Sequence, residues 1–444
     1  AYYTNTIDDW AYFLYASNLD DKRERVQSLG KEINKDKTQQ NYLLKLSNDD
    51  HKLLLQGDMT SRHLSANMSS DLTPLDTSVI DYERHSFGYV YKGIDNLKFL
   101  FSYEMYDSEM FLEDDNPFPI PPYNISSMRL DSKEKVLSTE LTYKFKTDSN
   151  VLLLGAKYRD KSFVYSNFEL SGIPRTPSAY NNQNIAGLFA ENRYQLASNS
   201  IVTLGFQYNR YDNNGGVEDE NIRLLRVGHT YTNQDWVFKL YGYTMEIPTE
   251  AYMHNSVFAR GITLKKQTNL ALTQETKYQI GKDKVRFVFN YMTVEDLLGT
   301  DPDTSQLAIL DKPTSFYSVI SEYTHTFDED NKLILMGSYN LIDTSYTDNE
   351  IEYNAYVKFF NTYKNIDLYN ELIYYYYTAE QSHKFDLNIG ASYAYSDDIK
   401  IELKGENILG KAYTDRYYRL DGSGTYLDMT PFDRRVYLNV EYLF

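Results

Sequence analysis

The last twelve residues, Asp433 to Phe444, alternate in character. Val436, Leu438, Val440, Tyr442 and Phe444 fall on one face. Arg435, Tyr437, Asn439 and Glu441 fall on the other, with Leu443 the one apolar exception. A period of two marks a β-strand with one apolar and one polar side. The same period recurs upstream. Leu97, Phe99, Phe101, Tyr103 and Met105 oppose Lys98, Ser102 and Glu104, with Leu100 breaking the pattern. Phe385, Leu387, Ile389, Ala391, Tyr393 and Tyr395 oppose Asp386, Asn388, Gly390, Ser392 and Ala394. Ile399, Ile401 and Leu403 oppose Lys400, Glu402 and Lys404, and Val285, Phe287, Phe289 and Tyr291 form another apolar face. The pattern predicts about 20 strands, most of roughly 10 to 17 residues.

The connections are sorted by length. Every other one is a tight polar turn, as at Asn48-Asp49-Asp50-His51, Gly93-Ile94-Asp95-Asn96, Thr147-Asp148-Ser149-Asn150, Gly281-Lys282-Asp283-Lys284 and Lys364-Asn365-Ile366-Asp367. Their Gly, Asn, Asp and Ser content is that of hairpin loops. Most connections between them are long: Asp20–Thr38, His63–Glu83, Glu109–Ser132, Leu170–Tyr180, Pro248–Leu264, Leu297–Pro313 and Thr414–Phe432. Short turns at one end and long loops at the other predict a transmembrane antiparallel β-barrel. A soluble repeat β-fold has no reason to sort its loops in this way. By the same rule the short turns are periplasmic, and the first clear strand, Trp10–Leu19, runs outward. Thr6-Ile7-Asp8-Asp9 reads as one more periplasmic turn. Ala1–Asn5 reads as the tail of an inward strand, so that residues 1–444 form a barrel domain lacking its first strand. The expected total is about 20 to 22 strands.

Composition narrows the solvent. The chain has 444 residues, with 44 Tyr and 22 Phe against 2 Trp. Tyrosine is a β-former with an apolar body and a wet tip, which suits strand ends at a membrane interface. A mean hydropathy of −0.57 is compatible with a barrel, whose lumen and loops are polar. There is no run of 18 apolar residues and no signal peptide at Ala1. Cysteine is absent, which excludes disulfides, thiolate metal sites and thiol nucleophiles. The net charge of −18 argues against a nucleic-acid partner.

The C-terminal stretch carries a resemblance. Glu406-Asn407-Ile408-Leu409-Gly410-Lys411-Ala412-Tyr413 is followed by a long loop, then Arg434-Arg435-Val436-Tyr437-Leu438 and the terminal Phe444. This order resembles the end of a TonB-dependent receptor, with Ile408-Leu409 in place of the usual Leu-Phe pair. Ile185–Arg193 with Ile201–Asp212 also resembles a mid-barrel hairpin of that family. The resemblance implies an outer-membrane location in a Gram-negative bacterium. It also implies a barrel-assembly signal at Tyr442 and Phe444, and contact with outer-membrane lipid, lipopolysaccharide and the barrel assembly machinery. It further implies TonB as partner through a plug region that residues 1–444 do not contain.

The chemistry expected is binding, with no cofactor. No nucleophile elbow, phosphate loop or His-x-x-His metal spacing is present. The candidate ligand groups lie in the long connections: Tyr123 and Arg129, Arg175, then Tyr252, His254 and Arg260, and Arg416, Tyr417, Tyr418 and Arg419. These are suited to grip an anionic or aromatic small molecule such as a metal chelate. Loop-to-loop and lipopolysaccharide contacts would use the same residue types. Three functions stay open: an energised importer of a scarce solute such as a ferric siderophore, a passive large-pore porin, and a surface adhesin.

Overall fold

The computed structural model describes the chain apart from residues 1, 22–25, 29–30, 34–35, 64–78, 121–122, 175–181, 215–217, 249–264, 301–306, 345–349, 379–381, 397, 411–414, 419–425, 430–433 and 443–444. The described residues form strands and turns with no helix. The main sheet holds 22 strands, one of them the two-residue stub Ile173–Pro174. All its pairings are antiparallel and follow chain order, so the wall is a single meander from Tyr2–Ile7 to Arg435–Tyr442. This is the transmembrane β-barrel expected from the alternation.

The short connections all lie at one end of the meander, as their parity requires. Each is closed locally. Asn48 Oδ1 accepts the N–H groups of Asp50 and His51 at 3.0 and 2.7 Å. The Asp328 carboxylate accepts from the Asp330 N–H and the Asn331 side-chain amide at 2.9 and 2.7 Å. Asn96 and Lys364 take positive φ values of 64° and 58°, the left-handed conformation that tight hairpins demand. Tyr2–Ile7 is a strand running into the turn at Asp8-Asp9 and pairing with Trp10–Asp21.

The alternation sorts side chains between lipid and lumen. Val436, Leu438 and Val440 are 69, 71 and 61 % exposed. Their register partners Gly405, Leu403 and Ile401 lie on the same outer face. Arg435, Asn439 and Glu441 pair with Glu406, Glu402 and Lys400 on the inner one. An exposed apolar band and a polar interior reverse the usual arrangement of a soluble protein, as a lipid solvent requires. Aromatic rings gather on the outer face near the short-turn end. Trp236 lies 4.1 Å from Tyr278 between ring centroids, and Tyr143 4.5 Å from Phe145. Of the four consecutive tyrosines, Tyr374 and Tyr376 stack on His383 outside the wall. Tyr375 lies inside under the Lys384 ammonium.

One expectation needs correction. The segment 109–132 is not a loop. Strands Leu97–Ile120 and Tyr123–Lys146 run 24 residues each and pair through most of their length, with a register shift between Glu113 and Phe118. Strand Asn150–Leu170 accompanies them for 21 residues. These three strands stand as a tongue beyond the long-loop end of their neighbours. Short hairpins also occupy parts of three other long connections, at Val26–Ser28 with Lys31–Ile33, at Leu298–Thr300 with Leu307–Ile309 and at Asp415–Tyr418 with Tyr426–Met429.

Candidate functional site

The lumen wall is built from charged side chains at alternate positions, grouped around carboxylates. Glu275 meets Arg286 Nε at 2.7 Å, Lys239 Nζ at 3.2 Å and Lys277 Nζ at 3.3 Å. Glu191 meets Arg193 Nε at 2.7 Å and also contacts Arg226. Glu371 accepts from Lys358 Nζ at 2.7 Å, Tyr369 Oη at 2.5 Å and Asn388 Nδ2 at 2.9 Å. Each carboxylate is well covered, at 12, 14 and 11 % side-chain exposure for Glu191, Glu275 and Glu371. A charge this enclosed is tolerable because several donors share it. Glu191, Glu275 and Glu371 each lie five or six residues from the short-turn end of their strands, so the clusters form a discontinuous belt of fixed charge around part of the lumen. Among the described residues, no three His, Asp or Glu side chains are grouped to hold a metal ion.

The tongue carries the second set. Its faces follow from Leu141, which is outward and 47 % exposed. Counting by twos along the same strand places Lys135, Lys133, Asp131 and Arg129 on the outer face. There Arg129 is held by Asp131 at 3.2 Å and Glu109 at 3.6 Å, and Lys133 by Asp107 at 3.5 Å. The inner face, turned to the barrel mouth, carries Met110, Met128, Leu130, Phe163, Tyr165 and Phe168, all half-buried. Polarity therefore inverts along one strand. Below the inversion apolar groups meet lipid; above it charged groups meet water and apolar ones turn inward.

Beneath that apolar band the inner face is charged, with cations on one strand facing carboxylates, Glu134 and Glu140, on the next. Lys157, Arg159 and Lys161 occupy alternate positions of Asn150–Leu170. Lys161 pairs with Glu134 at 3.4 Å, and Arg159 Nε donates to Ser138 Oγ at 3.2 Å. On the neighbouring strands Arg84 pairs with Glu104 at 2.7 Å. The arrangement presents an aromatic and thioether wall above three cations on one strand, Lys157, Arg159 and Lys161, two of which face carboxylates. It can receive a small molecule with an apolar surface and negative charge. The alternation of Lys157, Arg159 and Lys161 is visible in the sequence. Which face is inner becomes clear only from the register.

Of the residues expected from sequence, Arg129 is on the outer side of the tongue in its ion pairs. The backbone of Tyr123 begins the second tongue strand, and those of Arg416, Tyr417 and Tyr418 lie in the short hairpin of the last loop. Arg175, Tyr252, His254, Arg260 and Arg419 lie outside the described residues, as does Phe444. Tyr442 ends the last described strand on its outer face.

No family model matches the chain, and no curated protein matches it. Solved structures do. The copper transporter OprC superimposes with a TM-score of 0.73 at 11 % identity, covering 98 % of this chain and 75 % of its own. The FrpB iron transporter from Neisseria meningitidis gives 0.71 at 11 % identity, covering 99 % and 78 %. The siderophore receptor PirA from Pseudomonas aeruginosa gives 0.65 at 11 % identity, covering 99 % and 74 %. These are TonB-dependent receptors. The likeness is one of fold, and it runs along nearly the whole chain.

Proposed function

On the premise that the chain carries the barrel fold of the TonB-dependent receptors, we propose that it is the barrel of an energised outer-membrane importer. Its cargo is a small anionic chelate with apolar or aromatic surface, a class that includes ferric siderophores. The observation that carries this reading is the inner face of the tongue. A wall of Met110, Met128, Leu130, Phe163 and Phe168 stands directly above Lys157, Arg159 and Lys161. A porin gains nothing from an apolar wall at its mouth, whereas a receptor for a scarce solute needs area to bury and charge to pair. Tyr123, Arg129, Arg175, Tyr252, His254, Arg260, Arg416, Tyr417, Tyr418 and Arg419 remain our further ligand contacts from the other loops. The belt around Glu191, Glu275 and Glu371 offers a polar seat for a plug domain, through which TonB would act. Lipid, lipopolysaccharide and the barrel assembly machinery complete the partners of this reading, in the outer membrane of a Gram-negative cell.

The test is uptake of radiolabelled ferric chelates by cells expressing the full-length gene, with and without TonB. Uptake should require TonB. It should fall when Lys157, Arg159 and Lys161 are together replaced by Gln, with surface abundance unchanged. Uptake that ignores loss of TonB would show a passive pore, and surface binding without uptake would show an adhesin.

A further inference from the structure

The outer wall bears a depression that neither transport nor barrel closure explains. Its floor is a row of small residues in register across three strands: Ser321 opposite Gly337, and Gly337 opposite Ala355. The row ends at an aromatic ring on each side, Phe287 next to Ser321 and Tyr374 next to Ala355. Two residues toward the long-loop end runs a ridge containing Tyr339 and Tyr353, whose ring centroids are 5.3 Å apart. Two residues toward the short-turn end runs a second ridge, containing Leu335 and Val357. The hollow is open to the outside, holds about 400 Å³ and is lined chiefly by Val319, Ser321, Gly337, Tyr339, Tyr353, Ala355 and Tyr374. A Cβ placed on Gly337 would meet nothing within 4 Å, so the floor is open.

We infer that this groove, floored by Ser321, Gly337 and Ala355, binds one acyl chain of lipopolysaccharide. The groove faces lipid, because Leu335, Val357 and Phe287 belong to the exposed apolar band. In lipid there is no hydrophobic drive to fill a surface hollow, but dispersion contacts are lost wherever atoms lack neighbours. Water cannot fill a hollow walled by Leu, Val and aromatic rings at small cost. A flexible hydrocarbon chain is the matching occupant. The ridge backbones are four residues apart, roughly 13 Å along the strand, and their facing side chains narrow this to a single-chain channel. The tyrosine ridge lies toward the long-loop end: Tyr339 and Tyr353 stand eight and ten residues from the short-turn ends of Asn331–Thr344 and Glu350–Tyr363, while Gly337 on the floor stands six, near mid-height. On the outer-membrane reading proposed above, that end faces the outside, and the outer leaflet supplies lipopolysaccharide. The tyrosine ridge places hydroxyls on the headgroup side, where an amide- or ester-linked acyl carbonyl would sit.

The test quantifies lipid bound to the full-length protein extracted from outer membranes in mild detergent, by native mass spectrometry. Wild type should retain one lipopolysaccharide per barrel. Gly337→Leu and Ala355→Leu fill the groove and should lower that occupancy about tenfold, equivalent to about 1.4 kcal/mol. Gly242→Leu, elsewhere on the outer face with only ordinary contacts around its Cβ, should leave it unchanged. Equal retention in all three variants overturns the proposal. Should both groove variants fail to fold, competition on wild type between lipid A and phosphatidylethanolamine decides, and preference for the phospholipid overturns it. Uptake is scored separately. Lost import with retained lipid would fail the transport reading alone, and lost lipid with intact import would fail this one alone.

Discussion

Phe206 tests the assignment of faces most severely. It lies on the outer side of Ser200–Asn213, 48 % exposed, with Leu225 at 55 % beside it in register. It is six residues from the short-turn end of its strand. Six residues at about 3.3 Å each, tilted near 45°, lift it about 14 Å, to the middle of an apolar band about 25 Å tall. Phe206→Arg puts a guanidinium there and should cost about 2–4 kcal/mol. At 1.36 kcal/mol per tenfold, that is a drop of roughly 30- to 900-fold in the folding constant. Val202→Arg, on the same face but two residues above the turn, should cost about 0–1 kcal/mol. Gln207→Arg, one residue away but facing the lumen, should stay within about 1 kcal/mol of wild type. The assay is equilibrium unfolding in lipid vesicles followed by tryptophan emission. Trp236 sits at the lipid interface against Tyr278 and reports insertion directly. Equal costs for Phe206→Arg and Gln207→Arg would refute the facing assignment. Equal costs for Phe206→Arg and Val202→Arg would refute the depth.

Two glycines should respond oppositely to one methyl group. At Gly57 a Cβ would run into the Tyr42 ring, whose hydroxyl bonds His85 Nδ1 at 2.9 Å, so Gly57→Ala should cost about 1–3 kcal/mol. Gly337→Ala, with open space above it, should change stability by less than about 0.5 kcal/mol in the same unfolding assay. Glu275→Gln removes the anion shared by Arg286, Lys239 and Lys277 and should cost about 1–3 kcal/mol, with rescue by Glu275→Asp only where the shorter side chain still reaches Arg286. At the turn of Asp328, the Asn331 amide and then the Asp330 N–H hold the carboxyl below its ordinary range. A depressed carboxyl stabilises the fold above the ordinary range, and that contribution is lost as pH falls through the folded value. Wild type and Asp328→Ala should therefore differ in unfolding midpoint at neutral pH and converge in strong acid.

Much of this fold is written locally. The last strand shows why: each outer residue from Val436 to Tyr442 is apolar, each inner one is polar, and a slip by one would place Arg435 and Glu441 in lipid. The turns are equally local, since Asn48 and Asp328 close their own hairpins through side-chain acceptors. What sequence cannot fix is anything that depends on which residues stand beside one another across strands. Ser321, Gly337, Ala355 and Tyr374 are far apart in the chain, and only the register sets them in one row. The groove is therefore invisible until the ladder is known.

The tongue was hidden for a different reason. A stretch rich in acids and prolines, Glu113-Asp114-Asp115 and Pro117 to Pro122, has the composition of a loop. Yet from Leu141 to Met128 the strand is unbroken; an all-polar stretch, Asp131 to Lys135, separates two apolar faces on opposite sides. Leu141 is apolar and outward, Arg129 charged and outward, and the one register shift between them puts its extra residue, Ser166, on the neighbouring strand. The solvent on the outer side has changed from lipid to water, so the same face demands opposite side chains. Where that change falls, near Lys135, marks the height at which the wall leaves the membrane. It also explains why the candidate wall at the mouth is apolar. Once the outer side is wet, the inner side is where Met110, Leu130 and Phe168 find cover, and a solute that buries them further is bound by the same force that orients them.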